Sequence, residues 1–332
     1  MAYARAQGAN GREGHGTGRV SMRAMHILIC LEGTPAEPWV EGFRAALPEA
    51  TVDVWQEGQA HTAADYGVVW RPPQAFFDDQ PQLQAVFNIG AGVDAILQRE
   101  LPAAMQVVRL DDAGMAVQMA EYGCQAVIRH FRGFDRYESD MRAGVWQSHE
   151  PRRRADCPVG VMGLGVLGQR VAQALAAFEF PVNGWSRTPR AVDGVRAYSG
   201  EAGLQDFLHA SQVLVCLLPL TPETANILDR RTLGALRPGG YLINVARGGH
   251  LVEQDLLDLI EEGHLSGATL DVFREEPLPQ GHAFLQHPSL VLTPHTSAIT
   301  LREDSVAQIA GKMRALAQGR QVAGMVDRER AY

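Results

Sequence analysis

The chain has 332 residues, 46% of them hydrophobic, and a formal charge of −8 at pH 7. That length accommodates two domains with a sizeable core. The acidic balance argues against a nucleic-acid partner, whose phosphates need a basic face, and no apolar run reaches the length of a membrane span.

Taken in chain order, residues 1–25 carry Gly, Arg, Ala and Gln with few apolar side chains and no signal-peptide core. They read as a disordered leader, an expression remnant or a misplaced start, with Met22 and Met25 as alternative beginnings. A buried strand is expected over 26–31, a helix over 39–46, and strands near 51–55 and 66–70. A short strand over 86–89 opens into Gly90-Ala91-Gly92-Val93-Asp94. This strand–helix alternation indicates a parallel sheet. Residues 112–142 have a helical pattern (Val117, Ala120, Cys124, Val127, Ile128, Phe131), long enough to connect two domains, and Pro151-Arg152-Arg153-Arg154 closes the segment.

A second β-α-β series follows, with strands near 158–162, 182–185, 213–217, 241–245, 267–272 and 290–292. The last helix spans 299–319 with Thr300 as its expected N-cap, and is expected to cross back to the first domain. Its Lys312 is the chain's one lysine, expected on a solvated helix face. The fold class is therefore α/β, with two Rossmann-like, doubly wound parallel-sheet domains. A discontinuous substrate domain takes 26–116 and 297–332, and a dinucleotide-binding domain takes 117–296. Cys30, Cys124, Cys157 and Cys216 form no C-x-x-C pair; they read as core residues of a soluble cytoplasmic protein with neither disulfide nor metal.

The chemistry begins at 159–168, where a hydrophobic strand runs into Gly163-Leu164-Gly165-Val166-Leu167-Gly168 and then a helix over 169–178. Gly163 suits a tight turn, Gly165 a close approach of phosphates, and Gly168 close packing of helix on sheet. The helix N-terminus directs N–H groups at the pyrophosphate. About twenty residues on, where an NAD site carries an acid, the chain reads Ser186-Arg187-Thr188. A missing carboxylate and an added guanidinium both favour NADP(H) over NAD(H), with NAD(H) still possible. Gly184-Trp185-Ser186-Arg187-Thr188 resembles a hydrolase nucleophile elbow superficially, but Thr188 replaces its second glycine.

Three motifs stand at successive strand ends: Asn244-Val245-Ala246-Arg247-Gly248-Gly249, Leu270-Asp271-Val272-Phe273-Arg274-Glu275-Glu276-Pro277 and Thr293-Pro294-His295-Thr296. Singly, Arg247, Glu276 and His295 have ordinary explanations as a loop ion pair, a turn before proline and a capped surface residue. Together, after a nucleotide fold, they describe an anion-binding cation, an acid/base and its carboxylate companion. Gly90-Ala91-Gly92 is either an anion nest or a loop needing positive φ. Trp39, Trp70, Arg71 and Trp146 are candidates to line a pocket for a two- or three-carbon substrate.

On these motifs, and on Val69-Trp70-Arg71-Pro72-Pro73, Ile89–Asp94 and Val326-Asp327-Arg328, residues 26–332 resemble the D-isomer-specific 2-hydroxyacid dehydrogenases, most nearly bacterial glyoxylate/hydroxypyruvate reductases. The resemblance implies that Arg247 binds the substrate carboxylate and polarises the ketone, that His295 is the acid/base paired with Glu276, and that Asp271 lies near the nicotinamide amide. Leu218, Pro219, Thr224, Val245 and Ala246 complete the expected cofactor surface. It implies a first domain of flavodoxin type and a homodimer built on a helix over 115–142. Trp146 would then reach the partner subunit's site; a buried aromatic is the alternative. The expected activity is NADPH-preferring reduction of glyoxylate and hydroxypyruvate to glycolate and D-glycerate. A D-lactate-type or broader 2-ketoacid reductase, or a dinucleotide-sensing corepressor or scaffold without turnover, are the alternatives.

Overall fold

The computed structural model describes residues 25–330. Residues 1–24 of the expected leader lie outside the described residues, whereas Met25 is already buried in the first core. The first half runs β1 (His26–Leu31), α1 (Glu37–Ala46), β2 (Thr51–Val54), β3 (Tyr66–Trp70), α2 (Gln74–Asp79), β4 (Ala85–Asn88), α3 (Asp94–Leu97) and β5 (Gln106–Val108). Its strands form a parallel sheet of order β2-β1-β3-β4-β5, the flavodoxin-type winding. The central strands are apolar almost throughout because helices cover both faces.

The connector is α4 (Met115–Arg132) followed by α5 (Phe134–Arg142). The single long helix expected here is broken at Gly133, which takes the left-handed φ of +62° that ends α4. Helix α4 packs on α6 (Val166–Ala177) at close range: a Cβ on Gly123 would sit 3.1 Å from Val171 Cγ1. The second half continues β6 (Val159–Met162), α6, β7 (Val182–Ser186), β8 (Val195–Ser199), α7 (Gly200–His209), β9 (Val213–Cys216), α8 (Arg230–Gly234) and β10 (Gly240–Asn244). It ends with α9 (Glu253–Glu261), β11 (Leu265–Leu270), β12 (Leu290–Leu292) and α10 (Arg302–Ala317). These strands form a parallel sheet of order β12-β11-β10-β9-β6-β7-β8, whose winding reverses between β6 and β9.

Two strands escape the sequence pattern. Both β5, three residues long, and β8, which has no buried residue, are sheet edges with a single strand partner, so neither needs a continuous apolar run. After β12 the chain returns to the first sheet. Val306, Ile309, Ala310 and Met313 of α10 join Trp39 and Phe43 of α1 in one core. Thr300 is not the N-cap of α10; Leu301 holds that position, and Thr300 Oγ1 donates instead to the Ile89 carbonyl at 2.9 Å. All four cysteines are buried free thiols. Among the described residues no helix is long and apolar enough to cross a membrane.

Lys312 is also placed differently from the solvated face expected of it. It is 8% exposed, and its Nζ meets Asp111 Oδ2 at 2.9 Å and donates to the Arg109 carbonyl at 2.8 Å. The lysine thus ties α10 to the segment leaving β5. Lys312→Met should lower stability by about 1–3 kcal/mol, below the full cost of breaking a buried pair because Asp111 is partly wet. Urea unfolding checks this, and an unchanged or raised midpoint would count against the clamp.

Candidate active site

At the reversal between β6 and β9 the three fingerprint glycines have different surroundings. Gly163 has φ +108°, and a Cβ there would lie 2.8 Å from the Leu217 carbonyl oxygen. A Cβ on Gly168 would lie 1.8 Å from the Gly163 oxygen, so only glycine lets α6 sit this close to β6. A Cβ on Gly165, the N-cap of α6, would meet nothing within 4 Å. That open face beside a helix N-terminus fits a dinucleotide pyrophosphate. Leu164 is buried beneath the turn, Leu167 is half-buried and Val166 is exposed on it.

At the end of β7, Ser186 is buried and its Oγ donates to the Thr188 carbonyl, leaving Arg187 and Thr188 exposed. Glu223 is held below the usual carboxylate range, first by a hydrogen bond from Thr221, with the nearby Arg187 charge a lesser cause. Arg190, absent from the sequence-based site, donates to the Leu164 carbonyl at 3.1 Å and so lies on the glycine turn. In the loop after β9, Leu218 is buried, and Thr224 Oγ1 donates to the Pro219 carbonyl at 2.6 Å while accepting from Thr221 N at 2.8 Å. Val245 and Ala246 are buried after β10.

A cleft of about 330 Å³ opens between the two sheets, lined by Trp70, Arg71, Gly92 and Asp94 from one side and Leu220, Arg247, Arg274, Glu276 and His295 from the other. Arg247 Nε donates to Asp94 Oδ1 at 3.0 Å and Nη1 to the Ala246 carbonyl at 2.7 Å, fixing the plane of the guanidinium. Gly92 makes room for it, since a Cβ there would be 1.7 Å from Arg247 Nη2. Gly90 is needed against Trp70, whose ring a Cβ would approach to 2.7 Å. Neither Gly90 nor Gly92 has positive φ; close approach, not backbone strain, selects glycine at both, with Ala91 packed against the first core between them.

His295 Nδ1 lies 2.8 Å from Glu276 Oε2, and Arg71 Nη2 reaches the same oxygen at 3.7 Å. The histidine backbone is in the left-handed region at φ +56°, held by its N–H donating to the Asp271 carbonyl at 2.8 Å. Burial works to raise the Glu276 pKa. Hydrogen bonds from His295 and Phe273 N, with the charges of His295 and Arg71, outweigh it and leave the carboxyl below its ordinary value. Asp271 is fully buried, its carboxylate accepting from Thr296 N and Ser297 N, both at 2.8 Å. It fastens the loop that presents His295.

Arg247, Glu276, His295, Trp70, Arg71 and Gly92 are therefore brought together. Trp39 is not: it is a core residue stacked with Phe43, and its apolar helix face outweighed any pocket role. Trp146 lies beyond α5, 93% exposed and outside this chain's own cleft, which removes the buried-aromatic alternative. Asp94, His250 and Arg274 went unmarked in the sequence although each stands inside or one residue beyond a quoted motif. Arg274 Nε donates to the Leu251 carbonyl at 2.8 Å.

Residues 124–297 match the family model described as D-isomer specific 2-hydroxyacid dehydrogenase, NAD binding domain. The chain is similar to glyoxylate/hydroxypyruvate reductase A of Serratia proteamaculans, 47% identical over 309 residues covering 91% of this chain and 98% of the relative. The protein of the same description from Yersinia enterocolitica is 43% identical over 314 residues, covering 93% and 100%. A D-isomer specific 2-hydroxyacid dehydrogenase from Xanthobacter autotrophicus, solved with NADPH and MES, superposes with a TM-score of 0.89 at 37% identity over 93% of this chain and 100% of that one. An NADPH-dependent glyoxylate/hydroxypyruvate reductase from Sinorhizobium meliloti, solved with NADP and sulfate, gives 0.87 at 33% identity with the same coverage.

Proposed function

This chain belongs to the D-isomer specific 2-hydroxyacid dehydrogenase family, an NAD(P)-dependent oxidoreductase family, and on that premise we propose that it reduces glyoxylate and hydroxypyruvate, to glycolate and D-glycerate, with a preference for NADPH. The observation that carries this reading is the Glu276–His295 pair facing Arg247 across one cleft. The relatives named for those two substrates support the substrate class.

A nicotinamide dinucleotide, when bound, would supply the hydride that reduces the carbonyl carbon beside the carboxylate. Arg247, held in plane by Asp94, offers a fork of N–H groups to the substrate carboxylate. His295 uses Nδ1 to engage Glu276, which leaves Nε2 to deliver the proton to the substrate's carbonyl oxygen as negative charge develops there. Glu276, ionised at neutral pH, fixes the ring's orientation and balances its charge when protonated. Trp70 and Arg71 line the same cleft as Glu276 and His295 and would limit the size of the 2-oxo acid it takes, and closure of the cleft would exclude water from the hydride path.

Turnover with a panel of small 2-oxo acids and both dinucleotides tests the reading. The expected order places glyoxylate and hydroxypyruvate ahead of pyruvate and larger 2-oxo acids; tight dinucleotide binding with no turnover would remove it. Arg187 and Arg190 follow β7 in a stretch, 186–190, whose sequence contains no carboxylate, and this supports the 2′-phosphate preference. Arg187→Ala should raise the KM for NADPH at least tenfold more than that for NADH, and equal effects would remove the phosphate-pairing role. Phe134, Met141, Val145 and Trp146 form an exposed apolar group along and after α5, which supports a homodimer; sedimentation as a monomer at micromolar concentration would sink that part.

A further inference from the structure

His250 is fully buried and stands behind the cleft, in the 3₁₀ turn Gly248–His250 that follows Arg247. Its Nδ1 lies 3.1 Å from the Arg247 carbonyl oxygen and its Nε2 lies 3.2 Å from the Pro219 carbonyl oxygen. One ring therefore spans two separate pieces of the site. The first is the turn that carries the guanidinium. The second is the loop after β9, which abuts the glycine turn because the Leu217 carbonyl fills the space a Gly163 Cβ would need.

Carbonyl oxygens only accept, and a neutral imidazole has one N–H to give. A neutral His250 can hold one carbonyl at a time, while its other nitrogen turns a lone pair toward the second oxygen. Neither oxygen is orphaned by that choice. Pro219 also accepts from Thr224 Oγ1 at 2.6 Å, and Arg247 also accepts from Asn244 Nδ2 at 3.1 Å. The ring thus has two settings, one gripping the Arg247 turn and one gripping the Pro219 loop. The charged groups that face it are Arg247 and Asp94, and burial, the largest influence, disfavours its protonated form.

We propose that His250 is a positioning residue that couples the two halves of the site, so that a dinucleotide seated against the Pro219 loop sets the pose in which Arg247 receives a carboxylate. The inference rests on the reading of the cleft given above. A dinucleotide that orders the Pro219 loop biases which carbonyl the ring holds, and the Arg247 turn responds. By linkage, a carboxylate on Arg247 tightens dinucleotide binding by the same factor.

Oxalate, a carboxylate that cannot be reduced, reads this coupling directly. Its dissociation constant is measured with and without saturating NADPH on the full-length protein. The wild type is expected to bind oxalate at least tenfold more tightly when NADPH is present. In His250→Leu that ratio should fall to within threefold of unity, and the KM for the 2-oxo acid should rise far more than kcat falls. His250→Gln, whose single amide nitrogen cannot span both carbonyls, should give an intermediate ratio. It carries the test if the leucine variant fails to fold. An unchanged ratio in either variant, or a wild-type ratio of one, overturns the proposal. A wild type that binds NADPH and oxalate cooperatively without reducing any 2-oxo acid would instead overturn the proposed activity and leave the coupling intact.

Discussion

His295→Gln is expected to lower kcat by roughly 10²–10⁴-fold, the usual reach of a positioned acid, while the dissociation constant for NADPH changes less than about threefold. The histidine side chain touches Glu276 and lines the cleft, and it takes no part in the glycine turn. Glutamine keeps a polar group of similar reach but has no proton to release at neutral pH. Steady-state turnover with hydroxypyruvate and a fluorescence titration with NADPH make the comparison. Loss of NADPH binding in step with kcat would mean that the residue supports the fold of the site and is not its acid. The pH dependence has a sign as well. Because the Glu276 pKa lies below its ordinary value, its carboxylate survives into acid and loses its charge only as pH falls through that depressed value. The orienting contact to His295 is therefore present at neutral pH and is lost only well below it. An inactivation midpoint above the ordinary carboxylate range has to come from another group.

What could be read in the chain was what local geometry or topology dictates. The glycine fingerprint is legible because Gly163 and Gly168 answer to contacts within a few residues or one strand away, while Gly165 keeps an open face at the start of α6. Arg247, Glu276 and His295 are legible because an open parallel sheet gathers the ends of its strands along one edge. The misreadings lie where tertiary packing or a single-residue break decides. Trp39 carries the residue type of a pocket wall but sits on the buried face of α1. Lys312 has the residue type of a solvated helix face, yet Asp111 reaches it across the fold. Gly133 interrupts a helical pattern that otherwise continues, and single-residue breaks of this kind leave the periodicity on either side intact. Asp94 and His250 have no separate signature, since their roles exist only after Arg247 has been placed against both.

Arg247→Gln is the second large effect, and its size comes from more than one lost contact. In the wild type the guanidinium does two jobs, holding Asp94 at 3.0 Å and presenting its remaining N–H groups to the cleft. The amide cannot balance the Asp94 carboxylate, so an anionic substrate would meet a bare negative charge where it formerly met a positive one. Truncating one partner of a hydrogen-bonded charge pair typically costs about 2–5 kcal/mol, and a loss near the middle of that range lowers kcat/KM by roughly 400-fold. Arg247→Lys retains charge against Asp94 but loses the planar fork, so roughly 10- to 100-fold should be lost there. Adding Asp94→Asn to Arg247→Gln removes the unbalanced carboxylate and should recover part of kcat/KM, whereas Asp94→Asn alone should lower it by freeing the guanidinium plane. If the double variant is no better than Arg247→Gln, electrostatic repulsion is not the reason the arginine is needed, and the aspartate acts on orientation alone. If Arg247→Gln keeps kcat/KM within about threefold of wild type, the carboxylate is bound elsewhere in the cleft, whose lining also carries Arg71 and Arg274.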